Sequence, residues 1–155
     1  MTLTTAHQGA ANHKDLLGHY INGQYINETV RTGDIYNPAT GKIIKQVAYA
    51  DAEIIDQAII AAEQAFVGWR KSSPISRARI MFRFKELLEE HADSIIKLVT
   101  QEHGKVLEDA MGELQRGIEI IEYACGTPEL LKGEYTKNVG GDIDSWSEFQ
   151  PLGVV

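Results

Sequence analysis

The chain has 155 residues, of which 43% are hydrophobic and 24% charged, a composition typical of a globular protein with room for one core. Its formal net charge of −7 argues against nucleic acid or an anionic membrane as the main partner, and no apolar run approaches the ~20 residues of a membrane-spanning helix. The single cysteine, Cys125, excludes an internal disulfide and fits a reducing compartment, the cytoplasm.

The amino-terminal segment, residues 1–18, mixes small and polar residues without a sustained period, which predicts a mobile lead-in. It has no targeting pattern. The ordered protein is expected to begin near His19. There Asn22-Gly23 separates two β-prone stretches, and both residues tolerate the positive φ of a type I′ hairpin turn.

The next elements change from strand to helix. Asn37-Pro38-Ala39-Thr40-Gly41 predicts a turn, and residues 42–49 predict a strand after it. From Asp51 the apolar residues recur three or four apart, which predicts a helix over residues 51–69 that Asp51 caps.

Two further helical segments follow a Ser-Pro start signal. The Ser73 hydroxyl can accept from free amides, and Pro74 lacks an N–H where none is needed. A break is predicted near Ala92-Asp93, with Asp93 capping a new helix. Gly104 is expected to end that helix in a left-handed conformation.

A helix predicted over residues 105–125 is apolar on two faces. One stripe contains Leu107, Ala110, Leu114, Ile118, Ile121 and Cys125. At 100° per residue the nearly opposite side contains Gly112, Arg116, Ile120 and Tyr123. Such a helix is expected to lie between layers. Cys125 continues a buried stripe and is interpreted as a structural cysteine rather than a nucleophile.

The last stretch predicts strands. Gly140-Gly141 is expected to be a flexible loop, residues 142–150 a strand, and residues 151–155 the opening of a buried strand. The sequence predicts no metal site, because its five histidines lack the spacings that ligate metals. Gly140-Gly141 lacks the third glycine of a dinucleotide fingerprint.

Arg116 is the candidate binding residue, since an unpaired guanidinium among apolar neighbours is costly to desolvate. One interpretation is an intrahelical ion pair with Glu113 or Glu119, each three residues away. The other is that its planar fork binds a substrate carboxylate. Composition and spacing alone favour the ion pair.

Several motifs resemble, in order and spacing, the amino-terminal part of aldehyde dehydrogenases. They are Asn37-Pro38-Ala39-Thr40-Gly41, Ala65-Phe66-Val67-Gly68-Trp69, Ser76-Arg77, Glu102-His103-Gly104-Lys105 through Ala110 and Glu113, and Pro151-Leu152-Gly153-Val154-Val155. Within the family, a second set looks like the CoA-acylating branch that acts on methylmalonate semialdehyde. This set is Gln115-Arg116-Gly117-Ile118-Glu119, Glu122-Tyr123-Ala124-Cys125, Gly133-Glu134 and Asp142-Ile143-Asp144.

The resemblance covers about residues 19–155 and implies an α/β fold, the amino-terminal portion of the aldehyde dehydrogenase fold. After the lead-in, residues 19–135 would be β-hairpins and helices of the NAD-binding domain. Residues 136–150 would start the oligomerisation hairpin with its first strand, and residues 151–155 the next strand of the cofactor domain. The full-length protein would be a homo-oligomer.

The resemblance also implies the chemistry. Methylmalonate or malonate semialdehyde, NAD and coenzyme A give propionyl-CoA or acetyl-CoA, with loss of CO2. A cysteine thiolate attacks the aldehyde and hydride passes to NAD. The family holds the substrate carboxylate partly with an arginine that matches Arg116 in Arg116-Gly117, which moves the interpretation of Arg116 to substrate binding. Glu113 or Glu119 would then be its resting partners.

Family members are much longer, and their nucleophile and main cofactor contacts match nothing in this sequence. The resemblance therefore predicts no catalytic and no cofactor-binding residue in this chain, which would be inactive alone and would expose apolar faces. The alternative is a small α+β binding module, complete at 155 residues, that uses a groove at Arg116 for an acidic peptide or a small anion.

Overall fold

The computed structural model describes residues 16–155, and within them it has seven strands and five helices. The chain divides into two compact units, Met1–Ala61 and Ala62–Val155, with the division inside the first helix. Most of the predicted lead-in, residues 1–15, lies outside the described residues. The α/β class predicted from the sequence is confirmed.

The first unit contains five short strands: β1 (Leu16–Leu17), β2 (His19–Ile21), β3 (Gln24–Ile26), β4 (Thr32–Tyr36) and β5 (Ile43–Ala48). Three of them form a sheet in the order β1-β5-β4, in which β1 is parallel to β5 and β4 is antiparallel to it. Strand β1 thus lies just before His19, at the end of the predicted lead-in. Residues 16 and 17 are held in register opposite Gln46 and Val47.

The other two strands of this unit, β2 and β3, form the predicted hairpin. Asn22 and Gly23 both have positive φ, 49° and 78°, as a type I′ turn requires. Tyr20 and Tyr25 stand opposite each other with ring centroids 4.9 Å apart. Such a cross-strand aromatic pair stabilises a two-stranded ribbon.

The predicted turn at Asn37 joins β4 to β5. The Asn37 carbonyl accepts from the amide of Gly41 at 2.8 Å, and the Asn37 side chain accepts from the amide of Ala39 at 2.9 Å. Gly41 supplies the positive φ of 66°. The strand before this turn, β4, was not predicted, because Thr32-Gly33-Asp34 carries little β signal by itself.

Helix α1 (Ala52–Trp69) begins as predicted, with the Asp51 carboxylate accepting from the amide of Ile54 at 3.0 Å. Its apolar residues are not covered within the described part of the chain. No residue of α1 is buried, and Ile55, Ile59 and Ile60 are all exposed. The burial predicted for its apolar face is absent within residues 16–155.

The next two helices are α2 (Pro74–Glu90) and α3 (Ala92–His103). Ser73 caps α2 as predicted, accepting from the amide of Ser76 at 3.2 Å. The break falls where predicted, but Asp93 is not the cap. His91 occupies that position, and Asp93 lies in the first turn, where its charge suits the helix dipole. Gly104 ends α3 with φ 82°, as predicted.

Helix α4 (Leu107–Cys125) packs against α2 and α3, and the short α5 (Thr127–Leu130) packs against α2. The buried residues of the second unit are Ala78 of α2 and Ala110, Ile118 and Cys125 of α4. All three from α4 belong to the predicted stripe, and the structural interpretation of Cys125 agrees with its burial.

The end of the chain forms a hairpin of β6 (Tyr135–Gly140) and β7 (Ile143–Trp146), which corrects two predictions. Gly140 lies in a strand, and Gly141 and Asp142, with φ 57° and 64°, form a tight turn rather than a flexible loop. The strand predicted over 142–150 ends at Trp146, because β6 offers a partner only that far. Residues 151–155 pair with no described residue, and the strand expected to open there stays a prediction.

Candidate functional site

Arg116 lies on the outer face of α4, away from the buried stripe. It is exposed, and so are Ile120 and Tyr123 on the same face, at 71% and 70%. Within the described residues this face therefore does not lie between layers, and its exposure agrees with the expectation that the chain by itself leaves apolar faces open. The reason is that α2 and α3 cover only the stripe that carries Ala110 and Ile118.

The Arg116 side chain runs back toward the start of α4, as helical side chains do. It reaches Gly112, one turn earlier, where a built Cβ would stand 3.5 Å from the guanidinium Nη1. Glycine at this position leaves the space beside the guanidinium free of side-chain atoms. The Arg116 guanidinium thus lies close to the helix surface at Gly112 and is exposed to solvent.

Glu113 is held by a lysine from outside the helix. The Nζ of Lys105 donates to Oε2 of Glu113 at 2.8 Å, and the two side chains are 18% and 47% exposed. The pKa of Glu113 is lowered chiefly by this hydrogen bond and by the charge of Lys105. Partial desolvation opposes the change, and the charges of His103 and Arg116 contribute less.

The predicted ion pair between Arg116 and Glu113 or Glu119 does not form among residues 16–155. Lys105 takes Glu113, and Glu119 accepts a long hydrogen bond of 3.5 Å from Gln115. The role of Lys105 was missed from the sequence, because eight residues separate it from Glu113. The signal that could have found it is Gly104, whose left-handed conformation ends α3 directly before Lys105.

A groove of about 360 Å³ lies between α3 and the start of α4. It is lined by Asp93, Ile96, Lys97, Leu107, Glu108 and Met111. Arg116 is not among these residues. The groove at Arg116 that the binding-module alternative requires is therefore not this one.

The described residues supply few other reactive groups. No set of three or more His, Cys, Asp and Glu side chains between residues 16 and 155 is arranged to hold a metal ion. Over the same stretch, no helix is long and apolar enough to cross a bilayer. Cys125 is the last residue of α4 and is buried. Arg116 remains the candidate site residue, with Gly112, Glu113 and Lys105 around it.

A model of the aldehyde dehydrogenase family matches residues 25–155, most of the chain. The chain belongs to the aldehyde dehydrogenase family. The resemblance drawn from its sequence motifs is thereby confirmed. Arg116 and Lys105 both lie inside the segment that the family model matches.

Among curated members of the aldehyde dehydrogenase family, the malonate-semialdehyde dehydrogenase of Pseudomonas aeruginosa is 53% identical over 139 residues. The match covers 90% of this chain and 28% of that protein. The malonate-semialdehyde dehydrogenase 3 of Geobacillus kaustophilus is 45% identical over 140 residues, covering 90% of this chain and 29% of that protein. The chain thus spans less than a third of the length of these relatives.

Solved aldehyde dehydrogenase structures give the same match. The methylmalonate-semialdehyde dehydrogenase of Oceanimonas doudoroffii superposes with a TM-score of 0.86 at 60% identity, covering 88% of this chain and 28% of that one. A Sinorhizobium meliloti protein assigned as a methylmalonate-semialdehyde dehydrogenase, complexed with NAD, also gives 0.86, at 37% identity, covering 89% and 28%. The described fold is the amino-terminal part of the aldehyde dehydrogenase fold.

Within the described residues, Gly140-Gly141 is not the glycine-rich turn of a dinucleotide fingerprint. The one parallel strand pair among residues 16–155 is two residues long, and Gly140-Gly141 lies at a hairpin turn instead of opening a helix. A dinucleotide pyrophosphate is ordinarily bound where a glycine-rich turn opens a helix behind a parallel strand. Residues 16–155 lack that arrangement.

Proposed function

We propose that this chain is the amino-terminal part of an NAD-dependent, CoA-acylating dehydrogenase of methylmalonate or malonate semialdehyde. The observation that carries the proposal is the identity of 53% to a malonate-semialdehyde dehydrogenase over 139 residues. The match at 60% identity to a methylmalonate-semialdehyde dehydrogenase structure supports it. The products would be acetyl-CoA or propionyl-CoA, with CO2 and NADH.

Arg116 binds the carboxylate of the semialdehyde in this proposal. Both semialdehydes carry one carboxylate, and a guanidinium fork binds such a group through two parallel hydrogen bonds. The geometry supports the assignment because Arg116 is exposed and its neighbour Gly112 leaves room for a ligand to approach. The apolar side chains of Ile120 and Tyr123 on the same face can exclude water from such a contact.

The isolated chain does not oxidise aldehydes in this proposal. Its one cysteine is buried in core packing, so no thiol is placed to attack an aldehyde. NAD supplies the hydride acceptor when bound, and residues outside this chain hold it together with coenzyme A. A reduced, unpaired cysteine also fits a cytoplasmic enzyme.

The domain division of the chain follows the same proposal. Residues 19–135 belong to the NAD-binding domain and residues 136–150 to a hairpin through which subunits assemble into a homo-oligomer. Residues 151–155 begin a strand whose partners lie elsewhere in the enzyme. The exposure of apolar side chains on β6 and β7, among them Val139, Ile143 and Trp146, supports a role of this hairpin in assembly.

The test of the proposed function replaces Arg116 in the full-length enzyme that contains this region. Arg116→Gln removes the charge, and Arg116→Lys keeps the charge but not the fork. The matched control is Arg79→Gln, an exposed arginine on α2. Steady-state kinetics are measured with malonate semialdehyde and with propanal, which has the same chain length and no carboxylate.

We expect Arg116→Gln to raise KM for malonate semialdehyde about tenfold to a hundredfold, the value of a hydrogen-bonded charge pair. Arg116→Lys should lie between Gln and the parent, and propanal oxidation should not change. Equal loss with both aldehydes would contradict the assignment of Arg116. Formation of NADH from methylmalonate semialdehyde and CoA by the 155-residue chain would contradict its proposed inactivity.

A further inference from the structure

Three charged residues at the start of α4 are arranged against the usual rule for helix surfaces. Glu113 precedes Arg116 by three residues, a spacing at which opposite charges ordinarily pair. The structure pairs Glu113 with Lys105 instead, at 2.8 Å, and places the Arg116 guanidinium over Gly112. Glu113, one of the two carboxylates three residues from Arg116, is thus directed to a different cation.

Lys105 is suited to hold Glu113 because of where its backbone places it. It follows Gly104, whose φ of 82° ends α3 and turns the chain toward α4. Its side chain is only 18% exposed, so the pair is formed by a lysine with little freedom to leave. A restrained partner loses less side-chain entropy on pairing than a fully exposed one.

We propose that Lys105 is a positioning residue for substrate recognition, because it holds Glu113 and leaves the Arg116 guanidinium uncommitted. This inference rests on the proposed function, in which Arg116 binds the substrate carboxylate. A semialdehyde then binds without first displacing an internal carboxylate from Arg116. Lys105 touches neither the substrate nor the reacting atoms in this arrangement.

The positive charge of Lys105 offsets the negative charge of Glu113, and this has a second consequence for substrate binding. A carboxylate one turn from Arg116 repels an incoming substrate carboxylate unless a cation offsets its charge. Lys105 supplies that cation, and the lowered pKa of Glu113 agrees with the contact. Loss of the Lys105 charge would therefore both occupy Arg116 and repel the substrate.

The experiment uses the full-length enzyme with Lys105→Gln, Lys105→Arg, Glu113→Gln and the double variant Lys105→Gln/Glu113→Gln. KM and kcat are measured with malonate semialdehyde and with propanal. We expect Lys105→Gln to raise KM for the semialdehyde about three- to fivefold, as an exposed ion pair competing for Arg116 would, with kcat and propanal oxidation unchanged. Lys105→Arg keeps the pair and should behave like the parent.

The double variant separates positioning from mere structural support. With Glu113 neutral, the carboxylate that Lys105 otherwise holds can no longer compete for Arg116, so Lys105→Gln should no longer raise KM and the parent value should return. A double variant as impaired as Lys105→Gln alone would overturn the inference, because a lost structural pair is not restored by removing its second partner. Thermal unfolding of each variant identifies any that fail to fold, and Glu113→Gln alone, expected at the parent KM, then tests the same competition.

The outcomes also separate this inference from the proposed function. If Arg116→Gln impairs semialdehyde binding and Lys105→Gln does not, the role of Lys105 is overturned and the substrate assignment stands. If Arg116→Gln leaves discrimination between semialdehyde and propanal unchanged, both are overturned. Impairment by both, with recovery in the double variant, supports both.

Discussion

The Nζ of Lys85 on α2 lies 3.3 Å from Oε1 of Glu122 on α4. The same nitrogen donates to Glu89, one turn further along α2, at 2.6 Å. Lys85 therefore joins the two helices that supply all the buried residues described in the second unit. Its side chain is 22% exposed, whereas both carboxylates are about half exposed, at 49% and 51%.

We predict that Glu122→Gln lowers the thermal midpoint only slightly, because exposed ion pairs contribute little. The pKa of Lys85 is raised above 10.5, chiefly by the hydrogen bond to Glu89 and less by the one to Glu122, while desolvation opposes the rise. The charged Lys85, with its two carboxylate partners, thus stabilises the fold below pH 10.5. This stabilisation is lost as pH rises through the higher pKa that Lys85 has in the folded chain. Thermal scans against pH measure this, with Glu90→Gln as the control, since Glu90 on α2 is exposed and forms no ion pair among the described residues. A loss larger than that caused by Ile118→Ala would contradict it.

Burial on α4 gives a larger and more local prediction. Ile118 is 5% exposed, whereas Ile120, two residues later on the same helix, is 71% exposed. Ile118→Ala should lower the free energy of unfolding by about 2 kcal/mol, the lower end for such a truncation in a well-packed core. The matched variant Ile120→Ala should change it by less than about 0.5 kcal/mol. Urea unfolding followed by circular dichroism compares them, and equal losses would mean that α4 does not pack as described.

Local signals in the sequence predicted most of the elements and their starts. Asp51, Ser73 and Gly104 act through the backbone of their own neighbours, so their effects can be inferred from a few residues. Strand β4 and the extent of β7 depend on partners elsewhere in the chain and could not be predicted in that way. The two glycines at 140 and 141 were misjudged because a tight hairpin turn and a flexible loop share the same composition.

The same difference between local signals and distant partners applies to the candidate site. Arg116 could be found from the sequence, because helical periodicity places it beside Gly112. Its exposure could not, since that depends on which face of α4 is covered by α2 and α3. The partner of Glu113 was also inaccessible, because helix spacing rules consider residues three or four apart and Lys105 is eight away.

The hairpin of β6 and β7 should be most ordered between two pH limits. Asp144 accepts from the Tyr135 hydroxyl and, at 2.9 Å, from the amide of Asn138. The Tyr135 hydrogen bond is the main cause that lowers the pKa of Asp144 below 3.8, and the same bond raises the pKa of Tyr135 above 10.0. The ionised Asp144 stabilises the hairpin above pH 3.8, and this stabilisation is lost as pH falls through the lower pKa that Asp144 has in the folded chain. The neutral Tyr135 stabilises the hairpin below pH 10.0, and this stabilisation is lost as pH rises through the higher pKa that Tyr135 has in the folded chain.

We expect the Asn138 amide resonance to move at both limits in an NMR titration of the chain. Tyr135→Phe should remove the alkaline transition and shift the acidic one toward the ordinary aspartate value. Asp144→Asn should remove the acidic transition. An Asn138 resonance that is indifferent to pH in the parent would show that the carboxylate does not hold this hairpin.

The start of α2 supports a capping prediction. Ser73 accepts from the amide of Ser76 at 3.2 Å, and Pro74 follows it at the first helical position. Ser73→Ala should lower the free energy of unfolding by about 1 kcal/mol, because one amide of the first turn loses its acceptor. Ser73→Asp keeps an acceptor and adds a favourable charge at the helix start, so it should match the parent. Denaturant titrations of the three proteins test the cap, and equal stability of Ser73→Ala and Ser73→Asp would contradict it.

Exposed apolar side chains on the hairpin lead to a prediction about the isolated chain. Trp146 is 70% exposed, and Val139 and Ile143 are also largely open to solvent. They lie on a two-stranded ribbon, and within residues 16–155 no other strand pairs with its outer edges. Unpaired edges with apolar residues favour association of copies. We expect the 155-residue chain to elute from size exclusion in a concentration-dependent, larger-than-monomer peak.

Ile143→Lys should shift that peak toward the monomer. The matched Thr136→Lys, which adds the same charge without removing an apolar group, should shift it less. A sharp monomer peak for the parent at every concentration would show that these surfaces need no partner.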